Sequence, residues 1–295
     1  MKSMTKINTW DMHCHTIFSD GTHTPTQLIH EAKEQGLAGV ALTDHDTWSG
    51  WEEAEVAAHA EQFLLIRGSE ITAKQRNDDK KPTSVHLLAW LYNPQGKKLN
   101  DLFQRTRQNR LDRAITIVNK LSHYYPIDWE SVINEIKEGD STTVGRPHIA
   151  DALIKAGIYR TRTEAFKGAL SKDGPFYIPV HSPTVEEVIE AIKDAQGVVA
   201  IAHGGSLERN TRLLTDTDIQ RYAECGLDGL EVWHRENSIE QQERLLQLTK
   251  HLHLLATGGS DWHGPSGKLN QLGENTTSED VVQEIIERGY LPVIQ

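Results

Sequence analysis

Residues 10–21 read WDMHCHTIFSDG, packing two histidines, a cysteine and two aspartates into what otherwise looks like the end of a buried strand. Successive side chains of an extended chain alternate between faces. Asp11, His13 and His15 are therefore expected on one face, and Trp10, Met12 and Cys14 on the other. One face packs and the other can coordinate. How often this device returns along the chain decides the fold.

Seven apolar runs end in or border polar clusters: KINTWDMHCH from Lys6, LAGVALTDHD from Leu37, FLLIRGSE from Phe63, SVHLLAWL from Ser84, GVVAIAHGG from Gly197, LDGLEVWH from Leu227 and LHLLATGGSDWH from Leu252. Most are followed by a helical pattern. Thr24-Pro25 opens one helix that Gly36 closes, and Thr184 with Glu187 has capping-box spacing before a helix that stops at Gly197. Thr276 with Glu279 repeats that spacing. Strands alternating with helices indicate a parallel sheet, and seven units without an evident edge favour an α/β barrel, closed or nearly so. Chemistry in such barrels gathers at the C-terminal ends of the strands. The His, Asp and Glu residues fall there.

One interval breaks the rhythm. Residues 98–179 hold four helical patterns, LNDLFQRTRQNRLDRAITIVNKLSHY, IDWESVINEIKE, RPHIADALIKAG and TRTEAFKGALSK, and read as a helical insertion in a barrel made of residues 1–97 and 180–295. The insertion carries Arg105, Arg107, Arg110, Arg113, Arg146 and His148, a local positive excess that reads either as a solvated helix face with its caps or as cationic groups lowered over the site to hold an anionic substrate.

Composition limits the chemistry. The chain has 295 residues, 37% hydrophobic and 25% charged, with a net charge of −11 that argues against a broad nucleic-acid surface. No apolar run approaches the roughly 18 residues of a membrane span, and the N-terminus lacks the apolar stretch of a signal peptide, so a cytoplasmic location is expected. Cys14 and Cys225 are the two cysteines and lie far apart without CxxC spacing. A metal site must then be built from His, Asp and Glu.

Candidates for such a site recur. His13 and His15 can reach one ion, and Asp20 in SDGT is either a turn residue or a ligand. His45 is flanked by Asp44 and Asp46, placed to orient its ring. Glu70 ends the third strand, where a buried carboxylate needs a partner. His86 lies early in its apolar run and on pattern alone reads sooner as a core histidine than as a ligand. His203 precedes two glycines that let backbone approach a ligand, while Asp261 and His263 repeat the every-other-residue device. His234, ending LEVWH, faces the mouth or serves structure.

Taken in this order, HCH at 13–15, SDG at 19–21, TDHD at 43–46, Glu70, His86, AHGG at 202–205 and SDWH at 260–263 resemble the polymerase and histidinol phosphatase (PHP) metallohydrolases over nearly the whole chain. GRPHIADAL and the RxxR at 110–113 resemble the branch with nucleoside 3′,5′-bisphosphate phosphatases and 5′-to-3′ exoribonucleases of the RNase AM type. The resemblance implies a distorted (β/α)7 barrel holding three divalent ions. His13, His15, Glu70 and Asp261 would hold one; Glu70 would bridge to a second on His86 and His203; Asp20, His45 and His263 would hold the third. Two places depart from the family pattern: His203-Gly204 replaces His-Pro, and SKDGPFY around Lys172 replaces a Gly/Lys-type loop.

Three divalent ions outweigh the charge of Asp20, Glu70 and Asp261, so the site would be cationic inside an acidic protein. It fits a phosphate ester. Bridging ions lower the pKa of bound water from 15.7 toward about 7, so a metal-bound hydroxide is the expected nucleophile at phosphorus. Nitrogen and carboxylate ligands suit Mn, Fe or Zn alike. Arg110, Arg113, Arg146, His148, Lys172 and His234 are the expected substrate contacts. A second phosphate gripped there favours a nucleoside 3′,5′-bisphosphate, with an AMP-type product, or a short 5′-phosphorylated oligonucleotide. A histidinol-phosphate-type phosphatase and a non-catalytic metal-binding module are the alternatives.

Overall fold

The computed structural model describes residues 9–77, 80–210 and 212–295. Strands β1 (Thr9–Cys14), β2 (Gly39–Leu42), β3 (Leu64–Asn77), β4 (Lys80–Trp90), β5 (Val198–Ala202), β6 (Gly229–Trp233) and β7 (Leu255–Gly258) fall in the seven expected runs. Residues 6–8 of the first run lie outside the described residues. With the short β8 (Thr277–Ser278) the strands form a sheet in the order β7-β6-β5-β4-β3-β2-β1-β8. It is nearly closed. Past β7 the chain returns to the end of β1, where His15 N donates to Trp262 O at 2.8 Å and Trp262 N to His13 O at 3.3 Å.

The sheet is not wholly parallel. β4 pairs antiparallel with both β3 and β5, because β3 turns straight into β4 as a hairpin instead of feeding a helix. The reversal explains His86. Antiparallel pairing brings His86, the seventh of the eleven residues of β4, level with the end of β5, where it pairs with Ala202 beside His203.

A second departure sits in the opening stretch. Between Asp11 and Cys14 the β1–β2 register slips, three steps on β1 matching two on β2, as in a β-bulge. Period-two alternation therefore breaks. Trp10 and Met12 join Ala41, Ile66, Leu88, Trp90 and Ala200 in the barrel interior, whereas Cys14 joins Val40 and Leu42 in the outer layer beneath the helices. Asp11 ends beside Cys14, where burial and then Asp11 push the thiol up. Its own carboxylate ties β1 to the far loops, accepting from Ser260 N at 2.9 Å and Gly273 N at 2.8 Å.

The flanking helices α1 (Pro25–Glu34), α2 (Trp51–Glu61), α7 (Val185–Asp194), α8 (Asp216–Glu224), α9 (Ile239–Leu252) and α10 (Glu279–Arg288) wrap the sheet. The boxes at Thr24 and Thr184 cap α1 and α7 as expected. The one at Thr276 does not form. Ser278 is the N-cap of α10 without a side-chain bond, because Thr277 pairs with Trp10 in β8 and Glu279 takes the Trp10 indole N–H at 2.8 Å. Val282 and Ile285 of α10 reach the interior cluster.

Between β4 and β5 run α3 (Lys97–Leu121), α4 (Trp129–Ile133), α5 (Arg146–Lys155) and α6 (Arg162–Lys167). α3 straddles two cores. Leu99, Leu102 and Phe103 pack with the barrel's outer layer, while Ala114, Ile117, Val118 and Leu121 join Val132, Ile149, Leu153 and Leu170 in a separate cluster. No described helix is long and apolar enough to cross a membrane.

Candidate metal centre

Inward series on three strands begin apolar and finish polar. Ile66, Gly68 and Glu70 climb β3; Leu88 and His86 climb the reversed β4; Gly229 and Glu231 climb β6. Alternation aims all three at one level above the packed interior. Asp46, His203 and Asp261 take left-handed backbone at the neighbouring strand ends, with φ of 53°, 36° and 53°. Such conformations cost about 1–3 kcal/mol each and persist where surroundings impose them.

All nine sequence candidates meet there. His13 Nε2 lies 3.1 Å from His15 Nε2, 3.3 Å from Glu70 Oε2 and 3.4 Å from Asp261 Oδ1. His15 Nε2 is 3.1 Å and 3.2 Å from the same two oxygens. The other oxygen of Glu70 faces His86 Nδ1 at 2.6 Å and His203 Nε2 at 2.9 Å. Asp20 Oδ1 faces His263 Nε2 at 3.1 Å and His45 Nε2 at 3.8 Å. His45 stands between, its Nδ1 3.2 Å from Glu70 Oε2. Three groups have the spacing to hold a metal ion: His13, His15, Glu70 and Asp261; His45, Glu70 and His86; His15, Asp20, His45 and His263. The middle group draws in His45 where the family pattern implied His203, and His15 touches two groups.

Asp20 Oδ1, His45 Nδ1, Glu70 Oε2, Asp261 Oδ1 and His263 Nε2 are buried without a hydrogen-bond partner. Buried polar atoms are normally paired. Five lone-pair-bearing atoms converging on one place fit divalent cations. Electrostatics agree. Burial opposes charge on His15, yet Asp261 and Glu70 raise it to about 9, and His13 is raised well above its ordinary value against burial by Glu231, Glu70 and Asp261. Positive charge is favoured at this spot. Burial, then Arg209, holds His203 down to about 3; burial, then Lys268, holds His263 down to about 4. Those rings stay neutral, the form that coordinates.

Sequence reasoning missed the support around this cluster. Glu231 accepts from His203 N at 2.7 Å and meets His13 Nδ1 at 2.9 Å. Arg209 and Lys268 reach Asp261 Oδ2 at 2.6 and 2.7 Å, and Arg209 also pairs with Glu236 at 2.6 Å. The signal for Glu231 was a lone carboxylate in mid-strand. Arg209 and Lys268 sit on loops whose course only the fold decides.

The expected orienting and substrate residues scatter more. Asp44 accepts from Thr16 N at 2.8 Å and Ser19 Oγ at 2.5 Å, and Asp46 from Thr72 N at 3.0 Å, so Asp44 braces the loop after β1 and Asp46 is tied to β3, rather than to the His45 ring. Arg110 is engaged by Asp46 at 2.8 Å and by the Thr72 hydroxyl. His148 is buried and accepts from Gly145 N at 3.1 Å as the return bond of a cap, with burial holding it below its ordinary value. It adds no positive charge. His234 is buried, its Nε2 3.8 Å from Asp261 Oδ2.

Arg113, Arg146 and Lys172 do crowd together. Arg113 and Arg146 lie over the Tyr177 ring at 5.3 and 5.8 Å, and Arg146 over Phe166 at 4.9 Å. Burial and then Arg146 lower Arg113 to about 10, and the same two causes lower Lys172. Lys172 donates to the carbonyl of Arg209. A cationic track of three side chains thus lies on the segment between β4 and β5, with Lys172 reaching the loop of Arg209.

Residues 11–161 match the PHP domain family model. A 5′-3′ exoribonuclease of Haemophilus influenzae is 29% identical over 95% of this chain and 98% of its own length. A phosphoribosyl 1,2-cyclic phosphate 1,2-diphosphodiesterase of Eggerthella lenta is 26% identical over 89% and 97%. A 3′,5′-nucleoside bisphosphate phosphatase of Chromobacterium violaceum is 26% identical over 86% and 87%. A crystal structure from Bifidobacterium adolescentis, provisionally described as a metal-dependent phosphoesterase, superposes with a TM-score of 0.91 at 51% identity, covering 95% of this chain and 96% of that one.

Proposed function

Because this chain belongs to the PHP domain family and is a metal-dependent phosphoesterase, we propose that its substrates are nucleoside 3′,5′-bisphosphates and short 5′-phosphorylated oligonucleotides. The observation that carries this reading is the cationic track of Arg113, Arg146 and Lys172, gathered around Tyr177 and the loop of Arg209. Like charges that depress one another are relieved by an anion. A substrate with one phosphate at the metal centre and a second on the track uses both. The names of the exoribonuclease and bisphosphate phosphatase relatives agree with it.

In this reading the three groups would hold three divalent cations, Mn, Fe or Zn, and residues 98–179 form the substrate-binding insertion. The ions supply Lewis acidity and an activated water. The chain's own residues do the rest. Glu231 holds the His13 ring with its Nε2 lone pair toward Glu70 and Asp261. Arg209 and Lys268 share the outer oxygen of Asp261, leaving Oδ1 for the cluster. Arg113 and Arg146, fixed over Tyr177, present guanidinium groups to the remote phosphate.

The test is phosphate release by Mn²⁺-loaded protein from adenosine 3′,5′-bisphosphate and from a short 5′-phosphorylated RNA, with Asp261→Ala as control. Arg146→Ala should cut kcat/KM for the bisphosphate roughly 10- to 100-fold, the scale of one lost charged hydrogen bond, while a small chromogenic ester changes little. Equal losses on both would reject the track. Turnover of histidinol phosphate with the bisphosphate untouched would replace the substrate.

A further inference from the structure

The loop of residues 16–22, which carries Asp20, is held from two sides. From the barrel, Asp44 takes Thr16 N and Ser19 Oγ. From the insertion come four bonds: Thr142 Oγ1 to Ile17 O at 3.0 Å, Thr143 N to Phe18 O at 2.9 Å, Lys137 Nζ to Thr22 O at 3.0 Å and Arg162 Nη1 to Asp20 O at 2.6 Å. Arg162 is itself fixed. Its Nε and Nη2 bind Asp151 side by side at 2.7 and 2.6 Å, leaving Nη1 aimed at the carbonyl. Such a fork is geometrically stiff. The Asp20 carboxylate turns the other way, toward His263 and His45. A second insertion arginine, Arg110, binds Asp46 next to His45. Glu70 and His86, by contrast, ride on barrel strands.

We infer that Arg162 is a positioning residue for Asp20, so that docking of the insertion controls the cation position of His15, Asp20, His45 and His263 through Asp20, a ligand that neither of the other two groups uses. The inference rests on the three-position reading above. It makes the insertion part of the metal site as well as a cover for substrate. Partners beyond the ligands themselves commonly alter metal affinity by about 10- to 100-fold.

Metal-stripped protein is dialysed against graded Mn²⁺ and bound metal is counted, for wild type, Asp20→Ala, Arg162→Met and Arg162→Lys. Wild type should bind three ions and Asp20→Ala two. Arg162→Met should match Asp20→Ala, or hold its third ion at least about tenfold more weakly, while Arg162→Lys, which keeps a charged donor, should recover part of the loss. A third ion bound by Arg162→Met with wild-type affinity overturns the inference alone. Wild type saturating at two overturns the three-position reading and the inference with it. If the metal-free Met variant gives no cooperative melt, Asp151→Asn, which loosens the fork and keeps the guanidinium, carries the same comparison with the same readings.

Discussion

Glu231 shows how much one side chain settles. Both of its oxygens are used, one on His13 Nδ1 and one on His203 N. A glutamine has one acceptor oxygen and satisfies only one of them, placing an NH₂ against a donor. Glu231→Gln should therefore weaken Mn²⁺ binding roughly 10- to 100-fold and leave the fold intact. Isothermal titration of the metal-free variant checks it, and unchanged affinity would show that His13 needs no orienting partner. Neighbouring charge separates the histidines in the same way: those between carboxylates attract positive charge, and those buried beside Arg209 and Lys268 are kept neutral.

At the scale of elements, two irregularities bring the cluster together. The bulge in β1 turns Asp11 away from the cluster, and the reversal of β4 brings His86 level with Ala202 at the end of β5. Gly259, just past β7, lets β1 approach. A Cβ there would stand 2.4 Å from His13 Cβ and 2.9 Å from Glu231 Oε1, closer than real contacts allow. Gly259→Ala should destabilise by about 1–3 kcal/mol, as overpacking does, and displace His13. Urea unfolding of the metal-free variant measures the first. A midpoint equal to wild type would mean that the strands separate without penalty.

Over the whole molecule, buried charges are gathered at one barrel end above an apolar interior. Ions that bind only the folded chain stabilise it by mass action, about 4 kcal/mol at a thousandfold excess over Kd. At roughly 2 °C per kcal/mol for a chain this large, chelation should lower the melting temperature by roughly 8 °C for each such ion removed. Added Mn²⁺ should restore it. Calorimetry with and without chelator checks this, and identical melting curves would argue against structural coupling of the ions to the fold.

Seven strands and the helices between Trp90 and Val198 were legible because apolar periodicity and helix caps are local properties of the chain. The nine ligand-type residues were legible for a related reason: strand ends in a barrel share one rim, so position along the strand stands in for position in space. That substitution failed at His86 and Asp11, where strand direction and register depend on pairing with distant neighbours. It failed again for Arg110 and His148, whose charges looked free for substrate until Asp46 and Gly145 were found against them. Which residue types could bind metal was determined by the sequence by itself. Only the tertiary structure decided which of them converge, that Glu231, Arg209 and Lys268 support them, and that Arg162 reaches from the insertion to Asp20, because those contacts join segments brought together by burial and pairing rather than by spacing.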